Sequence, residues 1–112
     1  MVTNQPMRLD AVFGALADPT RREILLLLRR HPRPVGSLAE SFPMSRPAIS
    51  KHLDTLVRAG LVERIPKGRS NLCVARDAPL AEATEWLEFY RTHWEGALDR
   101  FAHLAESEEE TP

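Results

Sequence analysis

Cysteine is nearly absent from this sequence, and long apolar runs are absent altogether. The single cysteine, Cys73, excludes an internal disulfide and a four-cysteine zinc site. The longest uninterrupted apolar run, Ile24 to Leu28, is far shorter than the roughly 20 residues that span a bilayer. The first six residues also contain no apolar stretch like that of a signal peptide. These absences predict a cytoplasmic protein without a membrane partner.

The residue patterns of common catalytic sites are missing too. The chain has 112 residues, enough for one domain, and this size argues against an enzyme with a deep cleft. It contains no glycine-rich phosphate loop and no paired carboxylates in a plausible pocket. Ser50 and His52 are two residues apart and cannot face each other on a helix. We therefore predict neither catalytic residues nor a cofactor.

Charge, in contrast, is present and unevenly distributed. The formal net charge is −1, but residues 44–76 contain seven basic and two acidic residues. Residues 77–112 contain two basic and ten acidic residues. A compact basic segment inside a nearly neutral chain is typical of a protein with an anionic partner such as nucleic acid.

Capping residues and prolines divide the chain into helices. Asp18 before Pro19 is typical of a helix start, and so is Ser45. Gly60 predicts a helix end in the left-handed conformation. With the apolar spacing of Leu9 to Leu16, these signals predict helices that include 9–16 and start at 19, followed by helices over 37–42, 45–59 and 80–106.

Two short apolar runs follow Gly60 and alternate in the manner of strands. Residues 61–65 and 71–75 flank a turn at 66–70, so we predict a hairpin over 61–75 with a basic tip. A short helix, a tight turn, a capped helix and a hairpin together form the plan of a winged helix-turn-helix. The predicted fold class is therefore mainly α with a small β-hairpin (α+β), in one domain over residues 7–106. Residues 1–6 and 107–112 are predicted to be disordered tails.

The helix over 45–59 has two different faces. Ile49, Leu53 and Leu56 share one side, and polar or charged residues occupy the other. A polar face of this kind suits a recognition helix whose first turns enter the major groove of DNA. The residues predicted to contact DNA are Arg46, Pro47, Ser50, Lys51 and His52 on this helix, and Lys67 and Arg69 at the hairpin tip. For His52, which flanks the apolar side, packing or hydrogen bonding is the alternative role.

Three segments resemble the arsenic-repressor (ArsR/SmtB) family. They are Ala15–Arg22, Ser45–Leu53, and Ala59–Val62 together with Gly68-Arg69, within a resemblance that covers about residues 7–106. The resemblance implies a homodimeric winged-helix repressor that binds a palindromic operator in double-stranded DNA and is released by an effector. It also implies that Arg46, Pro47, Ser50 and Lys51 lie against DNA. The identity of an effector does not follow from the sequence.

Metal sensing is known in that family, but the ligand sets are incomplete here. The helix before the recognition helix contains no cysteine or histidine, although family members carry a cysteine pair there. A second family site has half of its pattern in His103 and Glu106, whereas His93 is preceded two residues earlier by Arg91 rather than by an aspartate. We predict no metal site, with a metal-responsive repressor that uses these histidines as an alternative. Cys73, in mid-strand, is predicted to be a buried, unreactive thiol.

The last helix has a continuous apolar seam. Apolar side chains repeat at alternating steps of three and four residues over more than three heptads. The seam is too broad for one small domain to cover, so we predict that part of it packs on the first helix and part on a second subunit. The residues predicted at the dimer interface are Leu87, Tyr90, Trp94 and Phe101. A winged-helix module that binds an acidic protein through the basic segment remains the alternative to a DNA-binding repressor.

Overall fold

The structure, a computed structural model, describes residues 4–110, and side chains are described from 8 to 107. The helices are α1 (Asn4–Leu16), α2 (Pro19–Arg30), α3 (Val35–Ala39), α4 (Arg46–Arg58) and α5 (Ala78–Glu110), and the strands are β1 (Arg33–Pro34), β2 (Val62–Lys67) and β3 (Ser70–Ala75). Residues 1–3 and 111–112 of the predicted tails lie outside the described residues. Residues 4–6 and 107–110 are helical, which corrects the prediction of disorder there. Pro6 falls in the first turn of α1, where a proline is tolerated. Residues 107–110 contain neither proline nor glycine, so nothing in them stops α5.

The predicted helix starts are confirmed by their hydrogen bonds. The Asp18 side chain accepts a hydrogen bond from the backbone N–H of Arg21 at 3.1 Å. The Ser45 hydroxyl accepts one from the backbone N–H of Ala48 at 3.2 Å. Each bond satisfies one of the N–H groups that a first turn leaves without a partner. Both starts are therefore stabilised by residues within three positions of the cap.

The predicted end of α4 at Gly60 is also confirmed. Gly60 has a φ of 77°, its N–H donates to the carbonyl of Val57, and the N–H of Leu61 donates to the carbonyl of Leu56, both at 2.9 Å. This pair of bonds is the Schellman motif, which requires a left-handed residue after the helix. Leu56 and Leu61 are both fully buried, so the turn is held by packing as well as by hydrogen bonds.

Replacing Gly60 with alanine is expected to destabilise the protein more than the same change at Gly68. Both glycines have positive φ, 77° and 62°, so alanine carries a cost of about 1–2 kcal/mol at either position. A Cβ at position 60 also lies 3.3 Å from Cγ of Pro79, whereas nothing lies within 4 Å at position 68. Urea unfolding of both variants at one protein concentration measures the difference. A Gly68→Ala protein that is as unstable as Gly60→Ala would contradict this.

The hairpin belongs to a three-stranded antiparallel sheet in the order β1-β3-β2. Lys67 pairs with Ser70, which leaves only Gly68 and Arg69 in the turn, so the turn is shorter than the predicted 66–70. Pro66 is part of β2, where the missing N–H is tolerated because β2 is an edge strand. The sequence did not predict β1, a two-residue strand that pairs with β3.

Helix α3 lies earlier in the chain than predicted. It covers Val35–Ala39 instead of 37–42, and Pro34 is its extended N-cap residue. After Ala39 the chain continues in a turn, in which the N–H of Ser41 donates to the carbonyl of Leu38 and that of Phe42 to the carbonyl of Ala39. These tighter bonds end the helix before Phe42.

The core lies between α1, α2, α4 and the sheet. Its members are small and medium apolar side chains that the periodicity of each helix places inward, and the fully buried ones are Val12, Ile24, Leu38, Ile49, Leu53, Leu56, Leu61 and Cys73. Of the residues whose side chains are described, no polar or charged one belongs to this core. The core therefore supports α4 from behind and leaves its outer face free.

Helix α5 extends beyond this core. The radius of gyration is 20.3 Å, whereas a compact chain of this length has a value of about 13 Å. Only the first turns of α5 pack on the domain, where Ala83 is buried. No helix within residues 4–110 is both long and apolar enough to cross a membrane. The arrangement of α3, α4 and the β2–β3 hairpin confirms the predicted winged helix-turn-helix.

Candidate nucleic-acid interface

The outer face of α4 contains four of the residues predicted to contact DNA. Arg46, Pro47 and Lys51 are exposed, and Ser50 is half-buried. Ile49, on the opposite side of the helix, is fully buried. The helix thus presents two cations and a hydroxyl within its first two turns. Nitrogen donors of this kind can contact phosphates or the acceptor atoms of guanine.

The Arg46 side chain is supported by the preceding helix. Its guanidinium lies over Gly36, with Cζ and both terminal nitrogens 3.5 Å from the place where a Cβ would project. Arg46 therefore begins α4 while it contacts α3. Because the side chain stays exposed, it can reorient toward a ligand without breaking a buried bond.

His52 contacts the start of α2 rather than only solvent. Nη1 of Arg21 lies 3.3 Å from Nδ1 of His52, and Oδ2 of Asp18 lies 3.9 Å from the same nitrogen. A guanidinium only donates hydrogen bonds, so this contact needs an unprotonated Nδ1, which places the proton of a neutral ring on Nε2. The ring remains 22% exposed, which leaves both of the roles predicted for His52 open.

Arg21 connects three helices, a role that the sequence did not reveal. Its Nε donates to the carbonyl of Ala15 at 2.7 Å and its Nη2 to that of Gly14 at 3.2 Å, so it also caps the end of α1. Through His52 the same guanidinium reaches α4. The position of the recognition helix is therefore tied to the junction of α1 and α2.

Asp18 is expected to make stability depend on pH in the acid range. The pKa of its carboxyl is below the ordinary value of 3.8, chiefly because the N–H of Arg21 donates to it. Partial burial opposes this shift, and the charges of His52 and Arg21 add to it. A lowered pKa means that the ionised form stabilises the fold, and this contribution is lost as the pH falls through the lowered value.

The test compares the melting temperatures of the wild type and Asp18→Ala. At neutral pH the variant is expected to melt lower, and the difference should shrink as the pH falls below 3.8. Asp18→Asn, which keeps a cap acceptor but cannot ionise, is the matched control and should lose the pH dependence while it keeps much of the cap. A difference that grows on acidification would contradict the assignment.

The hairpin is joined to α4 by Arg64. Its Nη2 lies 2.7 Å from Oδ1 of Asp54, and the same nitrogen donates to the backbone carbonyl of Ser50 at 3.5 Å. Lys67 and Arg69 are both exposed at the tip, as predicted. The sequence did not identify Arg64 because only the fold brings this strand beside α4. The wing and the recognition helix are therefore coupled by an ion pair.

Cys73 lies in the centre of the sheet, behind this site. Its side chain is fully buried, as predicted. In the sheet register its backbone lies opposite Arg33 of β1 on one side and Arg64 of β2 on the other. Burial raises the pKa of its thiol above the usual 9.0, and the charge of Arg64 partly offsets this effect. The thiol is accordingly protonated at neutral pH, a state that reacts slowly.

The predicted interface residues form an exposed apolar face on α5. Leu87, Tyr90 and Trp94 are each 52% exposed, and Phe101 is 70% exposed. We call these four residues the α5 seam. Trp86, Phe89, Leu98 and Leu104 are exposed beside it. Exposed apolar side chains in a row of this length are typical of interaction sites.

The beginning of this face is anchored on α1, as the sequence predicted. The rings of Phe13 and Trp86 meet edge to face with centroids 5.9 Å apart, and Arg8 pairs with Glu82 at 3.2 Å. Trp86 then stacks on Tyr90 at 5.5 Å, and Tyr90 on Trp94 at 6.4 Å. The stacked rings form a continuous surface, and each of them remains about half exposed among the described residues.

The histidines of α5 are not gathered into one site within the chain. Nδ1 of His93 lies 2.9 Å from the carbonyl of Phe89, and Nδ1 of His103 lies 4.0 Å from a carboxylate oxygen of Glu106. Ten residues of helix separate the two rings by about 15 Å. Among the described residues no group of three or more metal-ligating side chains occurs.

Comparison with protein families and individual proteins identifies relatives along most of the chain. Residues 18–64 match the model of the bacterial regulatory protein family arsR. The HTH-type transcriptional regulator Rv2034 of Mycobacterium tuberculosis is 39% identical over 99 residues, which cover 88% of this chain and 90% of that protein. The transcriptional repressor SdpR of Bacillus subtilis is 35% identical over 79 residues, which cover 70% of this chain and 88% of that protein.

Solved structures agree with the sequence relatives. An ArsR-like transcriptional regulator from Rhodococcus sp. RHA1 has a TM-score of 0.79 and 38% identity, and the match covers 91% of this chain and 96% of that one. The homodimeric winged helix-turn-helix DNA-binding domain of Mb0332 from Mycobacterium bovis has a TM-score of 0.60 and 27% identity, with 85% and 86% covered. Since the sequence match, the fold and the recognition-helix motif coincide, this chain belongs to the ArsR family of bacterial transcriptional regulators.

Proposed function

We propose that this protein is a homodimeric repressor that binds a palindromic DNA operator through α4 and acts in the cytoplasm without a catalytic activity of its own. The observation that carries the proposal is the outer face of α4, where Arg46, Pro47, Ser50 and Lys51 lie opposite a fully buried side. Its relatives include a repressor and a homodimeric DNA-binding domain, which supports the same assignment.

In this proposal the first turns of α4 enter the major groove. Arg46 donates two hydrogen bonds to a guanine, and Ser50 and Lys51 contact base edges or phosphates. The Nδ1 of His52 faces Arg21, so its Nε2 can donate a hydrogen bond to a phosphate oxygen. The helix needs no large change of shape, because Ser45 caps it and the core holds it from behind.

The wing supplies contacts that do not depend on base sequence. Lys67 and Arg69 stand at the tip of the hairpin and can lie along the adjacent phosphate backbone. The ion pair between Arg64 and Asp54 holds the hairpin beside α4. Phosphate contacts of this kind fix the register in which α4 meets the bases.

Two copies of α4 are needed to read both halves of a palindrome. The α5 seam is the surface that we assign to the second subunit, because its four residues remain exposed in the single chain. Burial of a large apolar side chain contributes about 1.5–3 kcal/mol, so pairing of two seams is strongly favourable.

The deciding experiment measures binding to the DNA upstream of the protein's own gene. Footprinting is expected to protect two half-sites about one helical turn, or roughly 34 Å, apart, and a scrambled duplex should bind far more weakly. Equal binding to the operator and the scrambled duplex at all salt concentrations would refute sequence-specific reading. Absence of any duplex binding would favour the module that binds an acidic protein.

Lys67→Ala is expected to weaken binding to all DNA sequences by a similar factor. Each subunit of the dimer loses one phosphate contact, and each lost contact reduces the slope of log K against log salt by about 0.9, so the change for the dimer is about 1.8. Fluorescence anisotropy at salt concentrations from about 50 to 200 mM measures this slope on the operator and on a scrambled duplex. A change confined to the operator would instead assign Lys67 to base recognition.

A further inference from the structure

An apolar groove on the side of α2 has no role in the proposed DNA contacts or in the α5 seam. It lies between α2, the end of β3 and the first turns of α5, and its volume is about 260 Å³. Its apolar lining comes from Leu16, Leu25, Leu26, Ala75 and Leu80. The groove therefore joins the DNA-reading part of the domain to the helix that leaves it.

One wall of the groove is formed by Leu26, an apolar side chain that lies outside the buried core. Leu26 is 58% exposed, although its neighbours Ile24 and Leu28 on the same helix are buried in the core. Scattered exposed leucines are common, but this one borders a concave apolar surface. Leu26 would lose much of its water-exposed area if a ligand occupied the groove.

The polar groups at the rim have an excess of positive charge. Arg29 is paired with Asp77, since its Nη1 lies 3.1 Å from Oδ1 of that residue. Arg22 has no carboxylate partner among the described residues, and its Nη1 donates a hydrogen bond to the carbonyl of Leu16 at 2.6 Å. That bond places the guanidinium at the edge of the apolar surface and leaves its other N–H groups able to donate.

We propose that this groove is a binding site for a small organic carboxylate with an alkyl body of medium length. The alkyl body lies on the leucines of the lining, and the carboxylate accepts hydrogen bonds from Arg22 at the rim. A cavity of about 150 Å³ accommodates benzene, so the larger volume here suits a chain of medium length. The mainly apolar lining with one cation available at its edge matches an amphipathic anion better than a polar metabolite.

The test uses octanoate as the probe and the full chain as the protein. Titration followed by calorimetry and by leucine methyl NMR is expected to show one saturable site per chain, with shifts at Leu25, Leu26 and Leu80. Octan-1-ol, which has the same chain but no charge, should bind about tenfold more weakly or worse, because it cannot form the charge-assisted bond to Arg22. Absence of saturable octanoate binding at millimolar concentration refutes the proposal.

Two pairs of variants locate the binding site. Arg22→Gln should reduce octanoate affinity about tenfold or more and leave octan-1-ol affinity unchanged, whereas Arg30→Gln, on the same helix but outside the groove, should change neither. Leu26→Glu should abolish octanoate binding, because the new carboxylate lies one turn from Arg22 and repels the ligand, whereas Leu26→Gln should keep part of it. Both changes at the exposed position 26 are compatible with folding.

Other occupants give different results, each of which would overturn the proposal. Octanoate shifts confined to Trp94 and Phe101 would place the ligand on α5. Equal affinities of wild type and Arg22→Gln would show that charge does not direct binding. Groove shifts that appear on raising the protein concentration alone would assign the groove to a contact between copies. The binding measurements need no DNA, so their failure is distinguishable from failure of the proposed repressor function.

Discussion

The Trp94→Glu protein is expected to sediment as a monomer and to lose most of its operator affinity, although no DNA-facing residue is changed. Trp94 is 52% exposed in the single chain, so the domain itself does not depend on this side chain for its core. In the proposed dimer, however, the substitution buries a carboxylate on each side of the two-fold axis. A buried charge without a partner costs several kcal/mol of association free energy.

The effect on DNA follows from geometry. Two copies of α4 must lie about 34 Å apart to read both halves of a palindrome, and only the subunit interface sets that distance. A monomer binds one half-site and loses the gain in effective concentration that the second half-site provides. Sedimentation velocity and anisotropy at equal protein concentration measure the two losses together.

Thr92→Glu is the matched control for this prediction. Thr92 is exposed on the same helix, about 200° around the axis from Trp94, and its hydroxyl donates to the carbonyl of Glu88. The control adds the same charge and should stay dimeric with normal operator affinity. If Trp94→Glu also stays dimeric and binds normally, the interface lies elsewhere, with α1 as the next candidate surface.

Arg46→Ala is expected to reduce operator affinity by about 1–3 kcal/mol for each half-site and to relax discrimination at one base position in each half-site. A bidentate contact to guanine carries sequence information, so affinity for a scrambled duplex should fall far less. The exposed guanidinium rests on Gly36 and forms no buried ion pair, so its removal should leave the fold intact. Anisotropy with a set of operator variants, each changed at one base pair, identifies the position that Arg46 reads.

The comparison with Lys67→Ala makes the result specific. If Arg46 contacts only phosphate, both variants weaken operator and scrambled DNA by the same factor, and the assignment of base reading to Arg46 is wrong. Circular dichroism before and after heating confirms that each variant is folded. Only a selective loss on the operator supports direct readout by Arg46.

The features that the sequence predicted correctly are those whose hydrogen bonds form between residues close together in the chain. Asp18 and Ser45 bond to N–H groups three positions ahead, and Gly60 completes a motif within six residues of chain. Such bonds depend on local conformation alone, so the residue types reveal them. The face of α4 and the apolar row of α5 are equally local, because a helix places residues by its period of 3.6.

The boundaries that were wrong depend on partners distant in the sequence. Strand β1 exists because β3 offers it an edge, and two residues have no strand pattern of their own. Pro66 could join β2 because, within residues 4–110, that strand is at the edge of the sheet. The sequence shows neither that β3 pairs with β1 nor that β2 is at the edge of the sheet.

The site divides in the same way. The capping residues, the helical spacing and the two alternating runs of the hairpin were sufficient to predict the winged helix-turn-helix and the exposed face of α4, because these patterns are properties of short segments. The contact of Arg21 with His52, 31 residues apart, and the ion pair of Arg64 with Asp54 were decided only by the tertiary structure. Charged side chains of this length can pair with many candidates, and packing of the buried core selects which of them meet.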